Sequence, residues 1–243
     1  MNWTKFAVVM VAGLGLSALL RSGGFYNALS ADAEGLGMLV QLIGAIYAVL
    51  LAFLIFVIWG QFTEVEDCVM RECNALDDVL RFSRYLDAES HSNIRRALTA
   101  YTSHVVRFEW DALGDGRTDQ QSEQIFGKFV ASVVEAQPRT EQEKLMLPRL
   151  IDMVQQASRM RDERVARSIT RMPPTLFALV TTIACALLLV VFLYPFHYWY
   201  TGAGGFVVTA FLLYMANVVM TDTDNPLKGI WNVKSDPFSA IKL

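Results

Sequence analysis

The stretch LGMLVQLIGAIYAVLLAFLIFVIW, from Leu36 to Trp59, contains no charged residue. As an α-helix rising about 1.5 Å per residue, it is long enough to cross the roughly 30 Å apolar core of a bilayer. A run of this kind belongs in lipid, and it makes the rest of the chain legible as a membrane protein. Met172 to Tyr200 is a second charge-free run, and Gly205 to Met220 (GFVVTAFLLYMANVVM) is a third. Phe6 to Leu20, between Lys5 and Arg21, is a fourth. It has the outline of a signal peptide, but no A-x-A-like cleavage site precedes Arg21, so it reads as a retained span.

Four spans put the N-terminus, the segment 61–171 and the C-terminal tail on one side. That side holds all of the 21 Lys and Arg except Arg21. Arg159, Arg161, Arg164, Arg167 and Arg171 lie close to span three, so the positive-inside rule makes this side cytoplasmic. The string YPFHYWY at 194–200 is then expected at the outer interface as part of an aromatic belt, with His197 an interfacial side chain. The expected organisation is an all-α membrane protein with four transmembrane helices and a helical cytoplasmic insert. Spans one and two occupy 1–60, a cytoplasmic helical domain 61–171, spans three and four 172–221, and a cytoplasmic tail 222–243.

The insert reads as helix throughout. No proline or glycine occurs from Gln61 to Asp111, so span two is expected to continue outward as one long helix. Val65, Val69, Leu76, Val79 and Leu80 recur at near-helical spacing as its packing stripe. A break is expected at DAESHSN, 87–93, with Ser90 or Ser92 as the next N-cap. Glycines mark a loop at 112–119, and EAQPRT at 135–140 is another. Thr140 and Glu143 have the spacing of a capping box, and Pro148 permits a kink or short break in the helix over 141–171.

Several function classes fall away. A net charge of −3 supplies no basic surface for nucleic acid. Cys68, Cys73 and Cys185 form no CxxC or Cys/His set and read as free thiols. The G-x-S-x-G, H-E-x-x-H, P-loop and dinucleotide patterns of enzymes are absent, and His91 and His104 read as surface or packing residues. No metal set or cofactor is expected. Spans two to four carry no charge, which disfavours a transporter with buried carboxylates. An oligomeric pore remains open, because apolar and small side chains can line one and gate it by dewetting.

Span two is the best candidate to line such a pore. Its small residues Gly44, Ala45, Ala48 and Ala52 also suit close helix packing without conduction. Just beyond it stand Glu64, Glu66, Asp67 and Glu72. In a symmetric ring, Glu64 or Asp67 would form a charged collar at the cytoplasmic mouth. The preferred reading is that these acids pair with the arginines approaching span three, whose planar forks match a carboxylate.

The segment GAIYAVLLAFLIFVIWGQFTEVED, 44–67, resembles the pore helix of bestrophin-type channels. The whole chain resembles the bacterial bestrophin-like proteins through the order of its motifs. These are a span ending in LLAF, a tryptophan and an acid-containing helix, the pair Glu109–Trp110, arginines before span three, and a D-x-P-x-G-like segment after span four. The resemblance implies a homo-oligomer in the bacterial inner membrane, a pentamer, with both termini cytoplasmic and span two around a path for inorganic ions. It places Ala45, Val49 and Phe53 at the neck. Ala45 and Val49 are smaller than the residues usual there, so Phe53 would carry the constriction, and apolar LIFVIW replaces the usual polar run beyond it. The family includes anion and cation channels, so selectivity stays open. A non-conducting membrane scaffold or sensor, whose cytoplasmic bundle docks a partner, is the alternative reading, and an enzyme a distant third.

The family's eukaryotic members carry a calcium clasp after the last span, built on an N-P-x-G segment. TDTDNPLKG, 221–229, is similar, and Asp222, Asp224 and Asn225 are its candidate cation ligands. The acids precede the proline and Lys228 follows it, so the stretch reads first as the turn that ends span four.

Overall fold

Prolines set both ends of one apolar helix, which begins at Pro174 and stops before Pro195. In a computed structural model, which describes residue 15 and residues 29–241, three helices are long and apolar enough to cross a membrane. Apart from Gly15, the expected span Phe6–Leu20 and Arg21 lie outside the described residues. Helix α1 runs unbroken from Ala33 to Ser83. Next come α2 (Ala88–His104), a π-helical turn (Val105–Glu109), α3 (Trp110–Gly114), α4 (Gln120–Val134) and α5 (Glu141–Ile169). Then follow α6 (Pro174–Leu193), α7 (Trp199–Thr223) and a short α8 (Asp236–Ala240). Every described element is helical.

Four local expectations need correction. The helix that carries span three covers less than Met172–Tyr200, because α6 stops at Leu193: the residue before Pro195, Tyr194, is extended with φ −65° and ψ 127°. The helix that carries span four covers more than Gly205–Met220, since α7 takes in Trp199 and Tyr200 at one end and Thr223 at the other. The cap of α2 is Asp87 rather than Ser90 or Ser92. Its carboxylate accepts from the Glu89 and Ser90 N–H groups, and the Ser90 hydroxyl itself donates to Asp87 at 2.7 Å. α3 also extends into the expected 112–119 loop, and the turn follows at Gly116, with φ 73°. Pro148 sits inside α5 without breaking it. The Thr140–Glu143 capping box is present, with both reciprocal bonds made.

The chain divides into two compact units. The first, Met1–Ile58 with Met172–Asp222, is held by Tyr47, Leu54, Ile58, Met172, Val180, Leu187, Val191 and Met220. Only a minority of the residues in each of the three apolar helices is fully buried.

The second unit, Trp59–Arg171 with Thr223–Leu243, has a larger core. α1 contributes Val65, Val69, Leu76, Val79 and Leu80 to it, and α2 contributes Ile94, Leu98 and Tyr101. The tail adds Leu227, Val233 and Phe238. α2 packs on α4.

Candidate functional site

Two regions of α1 carry the residues singled out above. In the first unit, Tyr47, Leu54 and Ile58 define the face of α1 that packs within the chain. At about 100° per residue, Val49 points roughly 160° away from Tyr47. Val49 is 71% exposed and Phe53 59%, and Ala45 is exposed as well. The same outward face continues through Met38 and Leu42 below and Phe56 above. Among the described residues, packing within the chain thus uses one side of α1 and leaves an uncharged apolar stripe on the other. A lone chain in water would not keep such a stripe exposed.

In the second unit, the acids after Trp59 divide by exposure. Glu64 is exposed and pairs with Arg167. Asp67 is exposed, with Arg71 at 3.9 Å on the next turn, and Glu66 is exposed. Such surface pairs contribute little. Glu72 differs: it is fully buried, in phase with Val65, Val69 and Leu76. Its Oε2 accepts from Arg164 Nε at 2.5 Å and its Oε1 from the Tyr101 hydroxyl at 2.6 Å.

Arg164 is also fully buried, and it ties four further groups to Glu72. Its Nη2 donates to Glu109 at 3.0 Å and to the Tyr101 oxygen at 3.3 Å. Its guanidinium carbon lies 5.9 Å from the Trp110 ring centroid and 5.3 Å from that of Phe238. Arg161, one turn earlier, donates to Glu109 at 3.2 Å and to Glu123 at 2.6 Å. The π-helical turn sets this up. The Trp110 N–H bonds back to the Val105 carbonyl, and Glu109, at the end of the turn, is buried against both arginines.

The network holds two buried carboxylates against two buried guanidinium groups. Burial, and then Glu72, push the Tyr101 hydroxyl well up, so it stays a donor. Burial alone would lower Arg164, but Glu72, Tyr101 and Glu109 together reverse this and hold it above its ordinary value. The Cys73 thiol is pushed up to about 12, by burial first and then by Glu72. That suits an inert structural thiol, and all three cysteines are free.

His104 is buried and not a surface residue. Its Nε2 lies 2.6 Å from Asp119, which also caps α4. Among the described residues, no three His, Cys, Asp or Glu side chains are grouped to hold a metal.

Within the second unit, Asn225 and Lys228 of the 221–229 stretch act as a clamp. Asn225 Oδ1 accepts from Arg171 Nη2 at 3.1 Å, and its Nδ2 donates to the Gly114 carbonyl at 2.9 Å. Asp224 raises the Arg171 guanidinium electrostatically, against the larger lowering by burial. Lys228 pairs with Asp115 at 2.5 Å. Asp222 lies in the last turn of α7 and is half-buried.

Sequence reasoning paired the right segments but missed Tyr101, and it valued Glu109 only as a motif residue. Burial of the arginines was readable: Arg161 and Arg164 fall in phase with Leu150, Val154 and Ala157 on the apolar stripe of α5.

A family profile described as the bestrophin-like domain matches residues 7–238. Crystal structures of a bacterial bestrophin homolog from Klebsiella pneumoniae share the fold. One variant aligns with a TM-score of 0.72 at 12% identity, covering 99% of this chain and 96% of that one. Another, phased with zinc, gives 0.66 at 14% identity, covering 95% of both chains. A search of the curated proteins finds no match.

Proposed function

This chain belongs to the bestrophin-like family of membrane proteins, and we propose that it works as an oligomeric ion channel of a bacterial inner membrane. Copies of α1 would surround the conduction path as a pentamer, with Ala45, Val49 and Phe53 facing it. The observation that carries this reading is the uncharged stripe of α1, exposed opposite the face that packs within the chain. Phe53 is the bulkiest of the three and would set the narrowest point. A hydrophobic constriction of this kind gates by losing and regaining its water.

Glu64 and Asp67 are exposed beyond the stripe and would contribute charge near the cytoplasmic mouth, Glu64 partly neutralised by Arg167. N- and C-termini on the cytoplasmic side follow from the placement of Lys and Arg. Calcium would act through the 221–229 turn, where Asn225 is already committed to Arg171 and Gly114.

Purified protein in planar bilayers is expected to conduct, and Phe53→Ala to raise conductance or open probability. A monomeric mass in detergent, or bilayers silent under varied salt, pH and calcium, would count against the channel.

A second reading, a non-conducting scaffold, draws on one feature. The outward stripe stays apolar past Phe53, through Phe56. Silent bilayers together with a defined oligomer would favour it.

A further inference from the structure

Between Pro226 and Val233 the tail forms a loop with both feet buried. Leu227 and Val233 belong to the core of the second unit. The Val233 N–H donates to the Pro226 carbonyl at 2.7 Å, and Trp110 Nε1 donates to the Val233 carbonyl at 3.3 Å. Lys228 is fixed by Asp115, and its methylenes lie so close to Gly114 that a Cβ there would approach within 2.8 Å. Gly229 then turns the chain at φ 120°, a conformation that favours glycine. Asn232 Nδ2 donates back to the Gly229 carbonyl at 3.0 Å.

The apex of this braced loop carries Ile230, 81% exposed, and Trp231, 54% exposed. Its anchors hold two large apolar side chains outward, the reverse of what burial alone would select.

Trp59 supplies the depth of the apex. The Trp231 ring meets the Trp59 ring edge to face, with centroids 5.7 Å apart. Trp59 also stacks on Phe62, at 5.7 Å and 22°. Trp59 closes the apolar run that begins at Leu36, the position where an amphipathic ring sits at the level of lipid headgroups. Trp231, in ring contact with it, lies at the same level.

We propose that the Ile230–Trp231 apex is a bilayer-docking loop, seated in the headgroup region on the face of the membrane that Trp59 marks. Lipid is favoured over a second copy of the chain because the apex continues the interfacial position of Trp59. The loop ties the tail to the bilayer whether or not the protein conducts, so the proposal is separate from the channel reading.

Full-length Ile230→Cys, in a Cys185→Ala background, carries a nitroxide label at the apex, and buried Cys68 and Cys73 stay unlabelled. In phosphatidylcholine–phosphatidylglycerol vesicles, paramagnetic resonance compares collisions with oxygen and with a water-soluble nickel chelate. Gln124→Cys, on the exposed surface of α4, is the aqueous control. The expected result is an oxygen-to-nickel collision ratio several-fold higher at position 230 than at 124. A ratio equal to that of the control would overturn the proposal. So would low access to both reagents with spin–spin broadening, which would assign the apex to contact with a second copy.

Discussion

Leu54 and Leu76 lie on the same helix, are both nearly fully buried, and are expected to matter by different amounts. Leu54 packs among Tyr47, Val180 and Leu187 in a segment suited to lipid, where the alternative to packing is another apolar environment. Leu76 leaves water for the core formed by α1, α2, α4, α5 and the tail. The contrast extends to charge. The membrane part of α1 has none, whereas the part beyond Trp59 buries Glu72 against an arginine. One unit therefore depends on shape, lipid and, in the channel reading, its own copies. The other carries an independent core and a polar network that leaves little freedom in how its helices meet.

The largest expected effect lies in that network. Glu72→Ala leaves Arg164 buried with one carboxylate fewer, and should cost about 3–5 kcal/mol in the second unit. Hydrogen exchange of α2 and α5 reads this as a loss of protection, and protection unchanged would mean the network is dispensable.

Next, Leu76→Ala should cost about 2–5 kcal/mol, and Leu54→Ala clearly less. Equal losses in detergent denaturation would remove the contrast between the units.

Asp119 sharpens the comparison through pH. Burial would raise its carboxyl, but bonds from His104 and from the Gln121 N–H outweigh this and hold it below the ordinary carboxylate value. Its contribution is therefore in place above the unfolded value and is lost as pH falls through the lower folded one. Asp119→Asn should flatten the acid limb of stability at that end of the pH range and leave the first unit unaffected.

Smallest of all, Glu64→Ala should cost under about 1 kcal/mol, because the Arg167 pair is exposed. A larger loss would mean that Glu64 is buried by something outside the chain.

Periodicity made the long α1 legible, because no proline or glycine interrupts it between Gln61 and Asp111. The capping box was legible for the same local reason: both of its partners lie within one turn. Tyr101 and Glu109 were not, since their partners are 29 and 55 residues away in sequence and only tertiary packing brings them together. The N-cap of α2 was misplaced because Asp87, Ser90 and Ser92 are all capping types. The start of the α2 turn, not residue type, selects among them. The outward stripe of α1 could not be chosen from its uniform hydrophobicity. It became visible once Tyr47, Leu54 and Ile58 were seen to occupy the opposite side.

The most direct test of the central claim asks whether that stripe meets water inside an assembled channel. Val49→Cys in a Cys185→Ala background, reconstituted in planar bilayers, would be exposed to a charged, membrane-impermeant methanethiosulfonate. The channel account predicts a rapid, irreversible change in current from modification at position 49, and none in the Cys185→Ala parent. Current that persists unmodified through Val49→Cys, with position 49 reacting only with a lipid-soluble thiol reagent, would show that the stripe faces lipid and would contradict the account.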